Sequence, residues 1–153
     1  MSQNAFPVGQ LTLANTPNAV AWARRHTVEF LRTHQTAPDI IESARLIVSE
    51  FATNAVRHPE PEAQSLTSVS TFNVAVRLTP RSVVIEVSDR DPQPPVRRGT
   101  DLEATGGRGI LIVEEVAYRW GFFHLPACVG GKVVWAEVLL AAPADPGNQD
   151  QPG

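Results

Sequence analysis

Apolar positions along the chain recur at two spacings, one near 3.6 residues and one of two, and the switches between them mark the elements. Val20, Ala21, Ala23, Val28 and Leu31 keep helical spacing through Arg32, and Pro17 suits a first turn, so a helix is predicted over residues 17 to 33. Pro38 and Asp39 open a second helix. In it Ile40, Ala44, Ile47, Val48, Phe51, Ala55 and Val56 make a stripe, and Pro59 stops the helix at or before His58. The spacing then shortens to two. Phe72, Val74, Val76 and Leu78 alternate within Thr67–Leu78, and Val83, Ile85 and Val87 alternate within Ser82–Ser88, across Thr79-Pro80-Arg81. These runs predict a hairpin. A short apolar helix follows at Ile110–Tyr118, then strands at Arg119–Leu125 and Lys132–Leu140 joined through Gly130-Gly131. A short strand is also read at Gln10–Leu13.

Between these elements lie stretches without either period. Residues 59 to 66, with two Pro and two Glu, read as a loop, and residues 89 to 106 run through Pro92, Pro94, Pro95, Gly99 and Gly106. A structureless stretch that long inside a compact domain is usually functional. Two helices, a hairpin, a lone helix and a second antiparallel pair predict an α+β fold, a two-layer sandwich with helices on one face of a mostly antiparallel sheet. The expected domain spans 1–140, with 141–153 as a disordered tail.

Composition narrows the class. A chain of 153 residues with 42% hydrophobic and 19% charged residues supports one core and excludes a disordered composition. A net charge of −3 gives no general drive toward nucleic acid or anionic lipid. A single Cys cannot form an internal disulfide, and no apolar run approaches membrane-spanning length. A cytoplasmic protein with neither nucleic acid nor membrane as partner is expected.

Candidate chemistry begins on the second helix. Glu50, Asn54 and His58 are spaced four apart, so they lie within about 80° of one another on one helix face, at the border of the apolar stripe. The same spacing also describes an ordinary polar pair at a helix edge, and His58 beside Pro59 also suits a contact with the helix C-terminus. Asp89 ends a strand that is otherwise Val-Val-Ile-Glu-Val-Ser, where an Asp serves equally as a turn residue or as an acceptor for a ligand amine. Gly106-Gly107-Arg108-Gly109 precedes the short helix, where exposed N–H groups and the helix dipole favour an anion. It is not a dinucleotide fingerprint, since Ile112 takes the place of the third Gly, and Gly130-Gly131-Lys132-Val133 is not a P-loop. Neither a Cys/His cluster with metal-ligand spacing nor a Gly-x-Ser-x-Gly elbow is present.

The order of these pieces is more specific than any one of them. Leu46-Ile-Val-Ser-Glu50-Phe-Ala-Thr-Asn54-Ala-Val-Arg-His58 is followed by Val87-Ser-Asp89, Gly107-Arg-Gly109-Ile-Leu-Ile-Val113, Arg119-Trp120-Gly121 and Gly131-Lys-Val-Val-Trp135-Ala-Glu. Over about residues 10 to 140 this pattern resembles the GHKL (histidine-kinase-like) ATPase superfamily, and within it the anti-sigma-factor serine kinases of the SpoIIAB and RsbW type, in their actinobacterial form. The resemblance implies a Bergerat-type sandwich that binds ATP and Mg²⁺. It implies Asn54 as the Mg²⁺ ligand, Glu50 as general base, Asp89 as acceptor for the adenine amine, and Gly107, Arg108 and Gly109 as phosphate-facing backbone. It further implies residues 92 to 106 as a lid, a homodimer, and a sigma factor and a STAS-type antagonist protein as partners. Two departures stand out. Asp89-Arg90-Asp91-Pro92 replaces the usual Asp-x-Gly-x-Gly, and Val133 stands where a Thr often follows the Lys of the last motif. Retention of Glu50 favours a kinase. The altered loop favours a binder that sequesters a partner without turnover.

Overall fold

The computed structural model describes residues 6–57, 70–95 and 109–141. The elements run β1 (Val8–Ala14), α1 (Ala19–Thr33), α2 (Pro38–Arg57), β2 (Thr71–Leu78), β3 (Ser82–Asp89), α3 (Gly109–Val116), β4 (Arg119–His124) and β5 (Lys132–Leu139). The strands form one sheet in the order β1-β2-β3-β5-β4, every neighbouring pair antiparallel. After β3 the chain passes through α3 to the far edge, and β5 returns by hairpin into the gap between β3 and β4. The α+β two-layer architecture expected from the sequence is the one observed.

Local chemistry fixes the element ends. At the start of α2, Pro38 needs no donor, Asp39 complements the helix dipole in the first turn, and the Ala37 carbonyl accepts N–H bonds from both Ile40 and Ile41 at 3.1 Å. α1 closes with Gln35 in the left-handed region at φ 58°, the Thr36 N–H donating to the Leu31 carbonyl and the Gln35 N–H to the Arg32 carbonyl, both at 3.0 Å. That pair of bonds is a Schellman cap. Between β2 and β3, the Thr79 hydroxyl accepts the Ser82 N–H at 2.9 Å and holds the turn.

One face of the sheet carries the core. Phe72, Val74 and Val76 of β2, Val83, Ile85 and Val87 of β3, and Val134, Ala136 and Val138 of β5 are buried against the helices. α2 answers with Ile40, Ala44, Ile47, Val48, Phe51 and Ala55, six of the seven positions in its predicted stripe, while Val56 is half-buried. α1 packs differently from expectation. Its buried positions are Ala19, Ala23, Thr27 and Leu31, so the inward face is rotated toward small residues, and Val20 and Val28 lie at its margin. Small side chains let α1 approach α2 closely, and the two are tied by an Arg24 Nε bond to Ser49 Oγ at 2.8 Å. Val113 of α3 is fully buried.

The opposite face carries ion pairs. Arg119 pairs with Glu137 at 2.7 Å, and Arg77 with Glu86 at 2.8 Å. β1 is longer than Gln10–Leu13, because Val8 and Ala14 also find ladder partners in Arg77 and Thr71. The short helix begins at Gly109 and ends at Val116, two residues before the predicted Tyr118. The predicted loop 59–66, the tail beyond Ala141 and most of the predicted lid lie outside the described residues.

Candidate functional site

Sheet alternation determines what gathers at the end of β3. Val83, Ile85 and Val87 point toward the helices, so Asp89, two residues on, points the same way. Alternation on β5 puts Lys132, Val134 and Ala136 on that same side, and β4 adds His124, the ladder partner of Lys132. Above them runs the last part of α2, with Phe51 and Asn54. Together Phe51, Asn54, Val87, Asp89, Lys132 and Val134 line one pocket, closed on its outer side by Asp91, Gln93, Pro94 and Pro95. Asn54 and Asp89, some 35 positions apart in the chain, thus share a single wall.

The pocket is polar at one end and apolar along its sides. At the polar end, Lys132 Nζ donates to Asp89 Oδ1 at 2.9 Å and to the Asp91 carbonyl at 2.8 Å, while the Asp91 N–H donates to the same Asp89 Oδ1 at 3.0 Å. His124 Nε2 donates to the Pro92 carbonyl at 2.9 Å. Segment 91–95 is therefore pinned to β5 and β4 by two side chains. Burial pushes the Asp89 carboxyl above its usual pKa, opposed by the hydrogen bond and charge of Lys132 and by the Asp91 N–H. Gly131, at φ 90°, makes this approach feasible: a Cβ there would sit 2.0 Å from the Asp89 carbonyl oxygen. The space left in the pocket is about 20 Å³, room for about one water molecule.

The expected site residues divide into three groups. Asn54 and Asp89 are brought together. Glu50 lies one turn before Asn54 on α2, half-buried and outside the pocket lining, and Gly109 is the first residue of α3, whose body packs on α2. Gly107, Arg108 and His58 lie outside the described residues. Lys132 is the residue that sequence reasoning passed over. The departure noted at Val133 bears on the other face of the sheet, since the position of β5 that enters the pocket is Lys132. Strict alternation from Val134 and Ala136 back to residue 132 was the available signal.

The chemistry of the pocket fits a nucleotide base and fits Mg²⁺ held mainly by phosphate. Phe51, Val87, Val134, Pro94 and Pro95 offer apolar contact to a flat ring, and Asp89 offers an acceptor at its end. Asn54 brings one amide oxygen to the same pocket, a hard donor of the kind Mg²⁺ accepts beside phosphate. Among the described residues, no helix is long and apolar enough to cross a membrane.

Comparison with known proteins agrees with this geometry. In fold, the chain is similar to the crystal structure of the RsbU and RsbW domains of Rv1364c from Mycobacterium tuberculosis, with a TM-score of 0.64 and 24% sequence identity. The similarity covers 90% of this chain and 34% of that one, so the chain spans about a third of its length. No curated protein matches in sequence at a significant level. The histidine kinase-like ATPase domain matches residues 13–124, from the end of β1 through β4 and across every element that walls the pocket except β5. The chain belongs to the histidine kinase-like ATPase domain family.

Proposed function

We propose that this domain binds ATP with Mg²⁺ and acts as a regulator of the anti-sigma-factor type, transferring phosphate to a serine or threonine of a STAS-type antagonist protein. The observation that carries this reading is the meeting of Asn54 from α2 and Asp89 from β3 in one apolar-sided pocket. Asp89 accepts the amino group of the base. The Asn54 amide oxygen would hold Mg²⁺, and the Gly107-Arg108-Gly109 run is assigned to the phosphates by its likeness to the family motif. When bound, Mg²⁺ neutralises charge on the phosphates. Glu50, one turn from Asn54, takes the proton from the attacking hydroxyl, because phosphoryl transfer needs positioning and charge balance more than covalent help from the protein. Since the pocket has room for about one water, a base enters only as Pro94 and Pro95 draw back.

A second reading, an ATP-binding module that sequesters a partner without turnover, is favoured by the pinning of segment 91–95 through Lys132 and His124. Two substitutions separate the readings. Glu50→Gln keeps size and hydrogen-bonding reach but removes basicity, so transfer to an antagonist captured from the native cell should fall by about 100-fold or more with ATP affinity little changed. Asn54→Ala should weaken Mg-ATP binding and transfer together. Radiolabelled transfer and calorimetry measure both. Undiminished transfer in Glu50→Gln removes the base assignment, and no ATP heat from the folded wild type at millimolar nucleotide removes both readings.

A further inference from the structure

Asp89 and Lys132 face each other directly across the β3–β5 ladder, and their side chains, 12% and 6% exposed, form an ion pair of 2.9 Å. Both members of the pair belong to the ladder and neither to segment 91–95. Its geometry divides the work of the carboxylate. Oδ1 accepts from the Lys132 ammonium and from the Asp91 N–H, whereas Oδ2 takes no hydrogen bond among the described residues. We propose that Lys132 is a specificity-determining residue of the nucleotide pocket: it holds Asp89 ionised and acceptor-only, so that Oδ2 takes an N–H from an amino-bearing base and refuses a base with an oxo group at that position. The inference rests on reading Asp89 as the base acceptor.

The discrimination follows from donor and acceptor inventory. An ionised carboxylate has no hydrogen to give, so an oxo group set against it leaves two buried acceptors facing each other. A protonated carboxyl carries one donor and accommodates the oxo base. Which form is present depends on the surroundings. Burial, the largest influence, favours the neutral form, and the Asp91 carboxylate acts in the same direction. Against them stands Lys132. From α2 the pocket presents Phe51 and Asn54, from β3 Val87 and from β5 Val134, none of which titrates. His124 on β4 is engaged with the Pro92 carbonyl. Among the described residues, Lys132 is thus the one cation acting on Asp89, and the position carries a lysine where a hydroxyl or an apolar residue would leave the carboxyl free to protonate.

The test uses the full chain with ATP and GTP as probes, each with Mg²⁺, and compares wild type, Lys132→Met, Lys132→Arg and Asp89→Asn by calorimetry from about pH 6 to about pH 8.5. Wild type should prefer ATP, Lys132→Arg should keep that preference, and Lys132→Met should lose it by at least about tenfold, most strongly at the acidic end. Carbon NMR of the Asp89 carboxyl, read without nucleotide, should show its titration midpoint moved upward in Lys132→Met. An unchanged ATP preference in Lys132→Met overturns the proposal, and so does tighter ATP binding, which would make the ammonium a competitor of the base. If Asp89→Asn binds ATP as wild type does, the reading of Asp89 itself falls and the proposal with it. If Asp89→Asn loses ATP while Lys132→Met keeps wild-type preference, only the proposal falls. Should Lys132→Met fail to fold, the wild-type carboxyl decides: a carboxyl ionised at neutral pH supports the proposal, and one still protonated there overturns it.

Discussion

Lys132 is the one lysine among 13 basic residues, and it is also a buried one. A charge in that position is tolerated because its partner is close and well aligned, and the pair therefore matters most when one member is removed. A carboxyl whose folded-state pKa lies above its unfolded value contributes stability that is complete below the unfolded value and is lost as pH rises through the folded one. Asp89 is in that position, its pKa raised first by burial and restrained by Lys132. Lys132→Met should accordingly be destabilised by about 3 kcal/mol near neutral and alkaline pH, and the gap to wild type should narrow as the pH falls and a proton on Asp89 replaces the missing ammonium. Urea midpoints of the two proteins across that range measure it, and a gap that stays constant with pH contradicts the account. Asp89 and Asn54 could be located in the sequence, one ending a strand run and the other bordering a helical stripe, but only the resemblance to a family motif singled them out from ordinary turn and helix-edge residues. Lys132 was not singled out, because a lysine at the start of a strand reads as solvated until a partner is known, and the partner lies 43 positions upstream.

At the scale of elements, α2 could be read almost whole and α1 only in outline. A wide stripe of Ile, Val and Phe announces the buried face of α2, whereas α1 turns Ala19, Ala23 and Thr27 inward, residues too small and too mixed to outweigh Val20 and Val28 in a periodicity. Thr27 is buried because its hydroxyl donates to the Ala23 carbonyl at 2.9 Å and so leaves no unmet donor. The end of α1 hid for a related reason: the left-handed cap is usually Gly or Asn, and here it is Gln35 at φ 58°. A side chain there carries a steric cost that Gly does not. Gln35→Gly should therefore stabilise the protein by roughly 0.5–1 kcal/mol, offset in part by the greater freedom of Gly in the unfolded chain. Thermal unfolding should show a midpoint higher by about 1–4 °C. A lower midpoint would mean that the Gln35 side chain contributes more than its backbone strain removes.

For the molecule as a whole, the fold was legible and the closed state of the pocket was not. Alternation in the β2–β3 hairpin and the stripe on α2 require one covered sheet face, and the order of helices and strands leaves few ways to cover it. Nothing local to Pro94 or Pro95 says that they will share a pocket with Asn54, since that depends on Lys132 and His124 arriving from two later strands to hold the Asp91 and Pro92 carbonyls. The consequence is that the pocket walls come from α2, β3, β5 and segment 91–95 together, so a ligand seated there ties the helical layer to the sheet instead of ordering one loop. A ligand that binds only the folded state stabilises it by about 2.7 kcal/mol at 100 times its dissociation constant, which for a chain of 153 residues is roughly 5–10 °C in the unfolding midpoint. ATP with Mg²⁺ should give a shift of that order, ATP without Mg²⁺ a smaller one, and Asn54→Ala should reduce the difference between the two if the proposed function is right in giving that amide the cation. Differential scanning calorimetry at several nucleotide concentrations is the measurement. A midpoint indifferent to saturating Mg-ATP in a protein that unfolds cooperatively would mean that the layers are not joined through this pocket, whatever the family resemblance of its residues.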